Sequence, residues 1–289
     1  MTAPFRTALL GLGLLALASC DNSVDQAIPD PEATPEGWVR VWSDEFDGTA
    51  LDTTKWNIVL GDGCDQGEGL CGFGNNELQV YTDQNHEVSD GTLTITARQE
   101  ADSSYTSARI NTKNKGDWTY GRYEIRARLP QTQGIWPAIW LFFTEDTYGG
   151  WAASGEIDIM ENIGSRPNEV FGTLHYGAEA PGNVFSGDEF TLAAGTFSDD
   201  FFVFALEWEE GEIRWYINNV LYQTQTSEDW YTTGSDDPAA PFDHDFHLIL
   251  NVAVGGNLPG NPDETTVFPQ TMEVDYVRVY EWQGTAGGA

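Results

Sequence analysis

Lysine is nearly missing from this chain. Its 289 residues include three lysines (Lys55, Lys113, Lys115), and 13 basic residues face 46 acidic ones, a formal net charge of −33. A surface of that sign repels phosphate backbones, which excludes nucleic acid as a partner. Cysteine is as scarce: Cys20, Cys64 and Cys71. No Cys or His cluster with zinc spacing surrounds the last two, which argues against a structural zinc site. No segment sustains helical period for three turns and no internal repeat is present, so helical bundles and solenoids are excluded. Long hydrophobic runs are also lacking. The apolar run "ALLGLGLLALA", Ala8 to Ala18, falls well short of the ~20 residues that span a bilayer.

That short run, with Arg6 ahead of it, reads as an export signal. It ends in "LASC", Leu17 to Cys20, which resembles the cleavage site of a bacterial lipoprotein. The resemblance implies cleavage before Cys20 and lipid on its sulfur; an ordinary secretory signal is the alternative. Removing the signal leaves 12 basic and 46 acidic residues, 12 − 46 = −34. Residues 21–36 are polar and Pro-containing, the composition of a tether. Cys64 and Cys71, seven apart in a Gly-rich loop and in an exported setting, are expected to close a small disulfide loop. Charge this high with little else would mean disorder, but 13% aromatic and 40% hydrophobic residues require a packed core. An acidic, lysine-poor surface suits salty water, where counterions screen its self-repulsion.

After residue 36 the pattern is strand and turn. "GTLTITA" (Gly91 to Ala97), "WTYGRYEIRARL" (Trp118 to Leu129), "VFGTLHY" (Val170 to Tyr176), "FFVFALEW" (Phe201 to Trp208), "FHLILNVAV" (Phe246 to Val254) and "MEVDYVRVYEW" (Met272 to Trp282) are rich in β-branched and aromatic residues. Glu210-Gly211 reads as a hairpin turn. Many strands without helices predict a single all-β sandwich or barrel over residues 37–283, with 284–289 as a loose tail.

One stretch concentrates chemistry. "GEIDIMEN", Gly155 to Asn162, sets Glu156, Asp158 and Glu161 among Ile157, Ile159 and Met160. On a strand, Glu156 and Asp158 share one face and Ile157 and Ile159 the other. Strict alternation then puts Met160 on the acid face. Glu161 reaches that face only if Met160 is absorbed as the surplus residue of a β-bulge. The span from Glu156 to Glu161 then behaves as four residues, roughly 13 Å. Two glutamates leaning inward bring their carboxyls near the ~5–5.5 Å of a retaining glycosidase, with the shorter aspartate between them. A calcium loop alternates its acids with Gly, Asn or Asp rather than Ile and Met, and a solvated face carries Lys or Thr to relieve repulsion. Residue types alone leave open which glutamate attacks and which protonates.

"GEIDIMEN" resembles the signature of glycoside hydrolase family 16, in the laminarinase-like form that has an extra residue before the last glutamate. "WSDEFDG" (Trp42 to Gly48), "GNNELQVYT" (Gly74 to Thr82), "GIWPAIWL" (Gly134 to Leu141) and "LILNVAVGGNLPG" (Leu248 to Gly260) resemble other stretches of that branch, in the same order. The resemblance implies a concanavalin A-like jelly-roll sandwich with a concave sugar cleft, cleaving internal β-1,3 bonds of laminarin-type β-glucans without a cofactor. Carried over, Glu156 resembles the nucleophile, Glu161 the acid/base and Asp158 the residue that tunes the nucleophile. A same-family galactanase or transglycosylase, or a non-catalytic glucan-binding sandwich, is the rival.

Trp136 and Trp140 lie four apart, an even spacing that puts both on one strand face, where indoles stack on pyranose rings. Read alone, each tryptophan is equally a core candidate. By resemblance Arg109 and Asn75 bond sugar hydroxyls and His175 lines the cleft, although an ion-paired arginine and a structural histidine are the plainer readings. Trp151 walls the cleft or caps a loop. Asp275 resembles the carboxylate of a structural calcium site completed by backbone carbonyls near Glu45 and Gly91, and a surface aspartate is the alternative. The expected partners are a β-glucan and a membrane reached through the lipid alone, for a chain taken as monomeric.

Overall fold

The computed structural model describes residues 35–67 and 69–284. The signal segment, Cys20, most of the tether and the tail from residue 285 lie outside the described residues. Among the described residues no helix is long and apolar enough to cross a membrane.

Eighteen strands follow in order. The first six are β1 (Trp38–Asp44), β2 (Asn57–Val59), β3 (Gln79–Tyr81), β4 (His86–Ser89), β5 (Thr92–Gln99) and β6 (Tyr105–Ser107). Next come β7 (Arg109–Asn111), β8 (Asp117–Trp118), β9 (Gly121–Arg128), β10 (Ile135–Phe143), β11 (Glu156–Glu161) and β12 (Glu169–Gly177). The last six are β13 (Asn183–Thr191), β14 (Phe202–Glu209), β15 (Glu212–Ile217), β16 (Val220–Thr226), β17 (Phe246–Val254) and β18 (Gln270–Trp282). Two short 3₁₀ turns, Cys64–Gln66 and Cys71–Gly74, flank a Cys64–Cys71 disulfide.

Two sheets result. One runs β16-β15-β14-β9-β18-β5-β6-β3, with β1 on β18 and β4 on β5. The other runs β13-β12-β11-β10-β17-β7-β2, with β8 on β17. This is the expected all-β jelly-roll sandwich. Alternation supplies its core: Ile125, Leu206, Trp215 and Val277 from the first sheet meet Ile139, Leu141, Ile157 and Leu250 from the second, all fully buried. The predicted hairpin turn at Glu210-Gly211 joins β14 to β15, with Gly211 at φ 78°.

One expected strand is two. The stretch from Trp118 to Leu129 breaks at Tyr120-Gly121, where φ is 70° and 130°. Trp118 pairs with Phe246 in the second sheet, and Gly121 pairs with Trp208 in the first. A Cβ on Gly121 would stand 2.9 Å from the Tyr280 carbonyl, so the crossing between sheets needs glycine. Composition could not reveal this break, because both halves carry strand-forming residues.

The bulge in β11 is present but its surplus residue differs from expectation. Against β10, Met160 pairs with Ile139 and Asp158 with Trp140, which leaves Ile159 without a partner. Against β12, Asp158 pairs with Thr173 and Glu161 with Phe171, so Ile159 and Met160 together oppose Gly172 alone. Both side chains are buried in the core, which is why a polar pattern could not tell which of them is skipped.

Candidate active site

Register arranges the outer face of the second sheet in rows. His247, Phe142, Glu156, His175 and Phe185 form one, across β17, β10, β11, β12 and β13. Asn111, Ile249, Trp140, Asp158 and Thr173 form the next. Arg109, Asn251, Ala138, Glu161 and Phe171 form the third. The bulge is what puts Glu161 in a row of its own, on the same face as the other two acids.

Each glutamate accepts from one indole. Trp151 Nε1 donates to Glu156 Oε2 at 3.0 Å, and Trp136 Nε1 donates to Glu161 Oε1 at 3.0 Å. His175 Nε2 lies 3.3 Å from Asp158 Oδ2 and 3.8 Å from Glu156 Oε1. The Trp151 ring tilts over His175 at 5.7 Å, so this loop tryptophan walls the site. Below the strand, Trp215 Nε1 donates to the Asp158 carbonyl at 2.8 Å and anchors the acids to the core.

Burial first, and then the negative charge of Asp158, pushes Glu156 up to about 7. The same two causes push Glu161 well above the usual carboxyl range. Burial alone would lower His175, but its contact with Asp158 and the charge of Glu156 outweigh that and raise it to about 9. The imidazole is therefore a cation at neutral pH, and it sits against Asp158 and Glu156. Ligand atoms of Glu156, Asp158 and His175 lie within 4.8 Å of one another, close enough to enclose a metal ion. His175 stands there as the charge and hydrogen-bond partner of Asp158 and Glu156.

The remaining expected residues gather on the β10–β17–β7 flank. Trp140 Nε1 donates to Asn251 Oδ1 at 2.8 Å. Arg109 lies between the rings of Phe73 and Trp140, at 4.9 and 4.7 Å, and its buried Nε has no hydrogen-bond partner among the described residues. No ion pair to it is present among the described residues, so the plainer reading of this arginine fails and a cation–π clamp takes its place. Asn75 Nδ2 donates to Glu77 Oε1 at 3.3 Å, and its carbonyl accepts from Asn257 N beside the Trp136 ring.

Sequence reasoning missed four residues here. Glu77, raised by burial, takes bonds from Gln79 at 2.7 Å and Tyr81 at 3.4 Å; it stood in a quoted motif without a role. Asn251 was hidden in an apolar strand. Phe171 lies two and four residues before Thr173 and His175, an alternation that puts all three on one face. Phe185 had no signal, because β13 is polar and did not read as a strand.

Asp275 sits on the other sheet, away from these rows. Against β18, β5 pairs as far as Val274 and β1 begins at Val277, so the edges near Gly91 and Glu45 meet at the break beside Asp275. Arg126 Nη1 contacts Asp275 Oδ2 at 2.7 Å, and Arg278 and Arg40 take the Glu45 carboxylate. The Glu45 carboxylate is thus taken up by arginines, which leaves its backbone carbonyl as the donor it could offer a cation, and one Asp275 oxygen is shared with Arg126.

A jelly roll with paired glutamates on a bulged strand defines a class, and the chain belongs to it: residues 73–278 match glycosyl hydrolases family 16. It is 44% identical over 262 residues to the glucan endo-1,3-beta-glucosidase A1 of Niallia circulans, covering 86% of this chain and 38% of that protein. It is 44% identical over 256 residues to a beta-glucanase of Rhodothermus marinus, covering 85% and 86% of the two. The catalytic domain of an endo-1,3-beta-glucanase (laminarinase) from Thermotoga petrophila superposes with a TM-score of 0.77 at 41% identity, over 86% of this chain and all (100%) of that one.

The raised pKa values make stability depend on pH. A carboxyl raised in the fold binds its proton more tightly when folded, so folding is favoured while it is protonated. For Glu156 that advantage is lost as pH rises from the usual carboxyl range through about 7. His175 acts in the same direction: its contribution is full below its ordinary value and lost as pH rises through about 9. Glu161→Gln is accordingly expected to melt above the wild type at pH 8, with a smaller difference at pH 5. Thermal melts at both pH values test this, and an equal gain at both would contradict the burial argument.

Proposed function

We propose that this chain is a retaining endo-glycosidase that cleaves internal β-1,3 bonds of laminarin-type β-glucans. The observation that carries this reading is the placement of His175, with Nε2 3.3 Å from Asp158 and 3.8 Å from Glu156 and with no such contact to Glu161 among the described residues. It favours the ionised form of Glu156. The one proton that two crowded glutamates hold then resides on Glu161. That asymmetry supplies the roles that residue types left open.

Glu156 attacks the anomeric carbon while Glu161 passes its proton to the glycosidic oxygen, so the bond to the leaving sugar breaks as the glycosyl–enzyme ester forms. Glu161, now a carboxylate, takes a proton from water, whose oxygen attacks the same carbon and frees Glu156. Two inversions give net retention. The Trp151 and Trp136 indoles hold the two carboxyls in place, and Asp158 steadies His175. Arg109, Asn75, Trp136 and Trp140 bind the glucan through hydroxyl bonds and ring stacking. The linkage assignment is supported by relatives that are themselves named endo-1,3-beta-glucanases.

Glu156→Gln and Glu161→Gln are each expected to lower kcat on laminarin by a factor on the order of 10²–10⁴ while leaving the fold intact. With an activated aryl glycoside, azide is expected to rescue Glu161→Ala with a β-configured product and Glu156→Ala with an α-configured one; the reverse pattern would exchange the two roles. A reducing-sugar assay on laminarin, lichenan and agarose checks the substrate, and preferential release from agarose would replace the glucan assignment by a galactan one.

Asp275, with the Glu45 and Gly91 carbonyls, is proposed to hold a calcium ion that ties β1 and β5 to β18 and takes no part in the chemistry. Chelation is expected to lower Tm, and added Ca²⁺ to restore it, in the wild type but not in Asp275→Ala. A Tm that EDTA leaves unmoved would remove the ion from the account. The "LASC" sequence further supports a lipid on Cys20 that holds the exported enzyme to a membrane. In cell fractionation, Cys20→Ser is expected to move the activity from the membrane to the soluble fraction, and a soluble wild-type enzyme would refute the anchor.

A further inference from the structure

The row that contains Glu156 continues past His175 to Phe185, on the edge strand β13. Phe185 is 71% exposed, the highest value among the large hydrophobic side chains of the described residues. Its ring lies 5.8 Å from that of His175. In the same strand Gly187 pairs with Thr173, beside Asp158 in register, and Phe171 lies next to Glu161 under the Arg166 guanidinium. A Cβ on Gly187 would stand 2.4 Å from the Gly172 carbonyl, so the floor beside Phe185 is low and must remain so. Isolated exposed apolar residues are ordinary. This one ends, at the edge of the sheet, the row that carries Glu156 and His175.

The two flanks of the acids differ in kind. On the β10–β17–β7 side, Trp140 is bonded to Asn251, Arg109 is clamped between two rings, and Glu77 gathers Asn75, Gln79 and Tyr81. That wall is fixed and polar. A double displacement makes unequal demands on its two sides: one half of the substrate stays in place, bonded to the enzyme from the first step until the second frees it, while the other departs after the first and is replaced by water or a second sugar. The fixed wall suits the retained half, and an exposed ring on an edge strand suits the half that exchanges.

We infer that Phe185 is the stacking platform for the glucosyl unit on the leaving-group side of the scissile bond. It holds that unit through the apolar C–H face of its ring and offers the same surface to an acceptor sugar that competes with water. This inference rests on the β-glucanase reading above.

The test compares full-length wild type, Phe185→Ala and Phe185→Trp on laminarihexaose and on a β-laminaribiosyl fluoride, whose leaving group is an ion with nothing to stack. With laminarihexaose, Phe185→Ala is expected to raise KM about tenfold, and Phe185→Trp to restore it. The loss of kcat/KM on the fluoride is expected to be smaller by at least about fivefold. Equal losses on the two substrates, or no loss on the hexaose, would overturn the platform. A wild-type enzyme that turns over neither compound but cleaves another polysaccharide would overturn the glucanase reading instead, so the two failures are distinct.

Discussion

Three carboxylates on one face of one strand, Asp158 buried and the two glutamates half-buried, repel each other, and the site depends on how that repulsion is met. A single imidazolium, His175, stands against two of them, and two indole N–H groups take one oxygen from each glutamate. The remaining excess charge is relieved by retaining a proton. Without the cation both glutamates would move toward neutrality together, and no nucleophile would remain; without burial both would ionise, and no acid would remain. Division of labour between two chemically identical side chains comes from the unequal distance of one positive charge.

That balance is held by apolar packing on the other side of the sheet. Ile157, Ile159 and Met160 are buried in the sandwich core, and the Trp215 indole bonds the Asp158 carbonyl from beneath. The two-for-one bulge serves both faces at once: it turns Glu161 outward and lets two successive apolar residues stay inside. The strand therefore pays for crowded charge on one face with close packing on the other, a distribution of strain and stability common at functional sites.

Much of this was legible in the chain. The alternation in "GEIDIM" defined an acidic and an apolar face, and the even spacing of Trp136 and Trp140 put both indoles on the outer face. Other features were not legible, for physical reasons. The break at Tyr120-Gly121 lies between two good strand segments, and only the approach of the Tyr280 carbonyl demands it. The surplus residue of the bulge is Ile159 in the β10 register, a choice between two equally apolar residues that pairing makes. Arg109 makes no ion pair among the described residues and lies instead between Trp140 and Phe73, which is 36 residues earlier (109 − 73). Phe185 belongs to a polar edge strand that carries no strand signal of its own.

By itself, the sequence determined which residue types sit on which face of each strand, because a period of two residues is a local property of extended backbone. It also determined the sign of the surface and the presence of three acids in six positions. Which strands lie side by side was decided by the sandwich alone. Pairing β11 with β12 brought His175 to Glu156 and Asp158, and pairing β12 with β13 brought Phe185 to His175. Charge interactions fall off with distance through space, whatever the separation along the chain, so the asymmetry between the two glutamates exists only in the folded molecule.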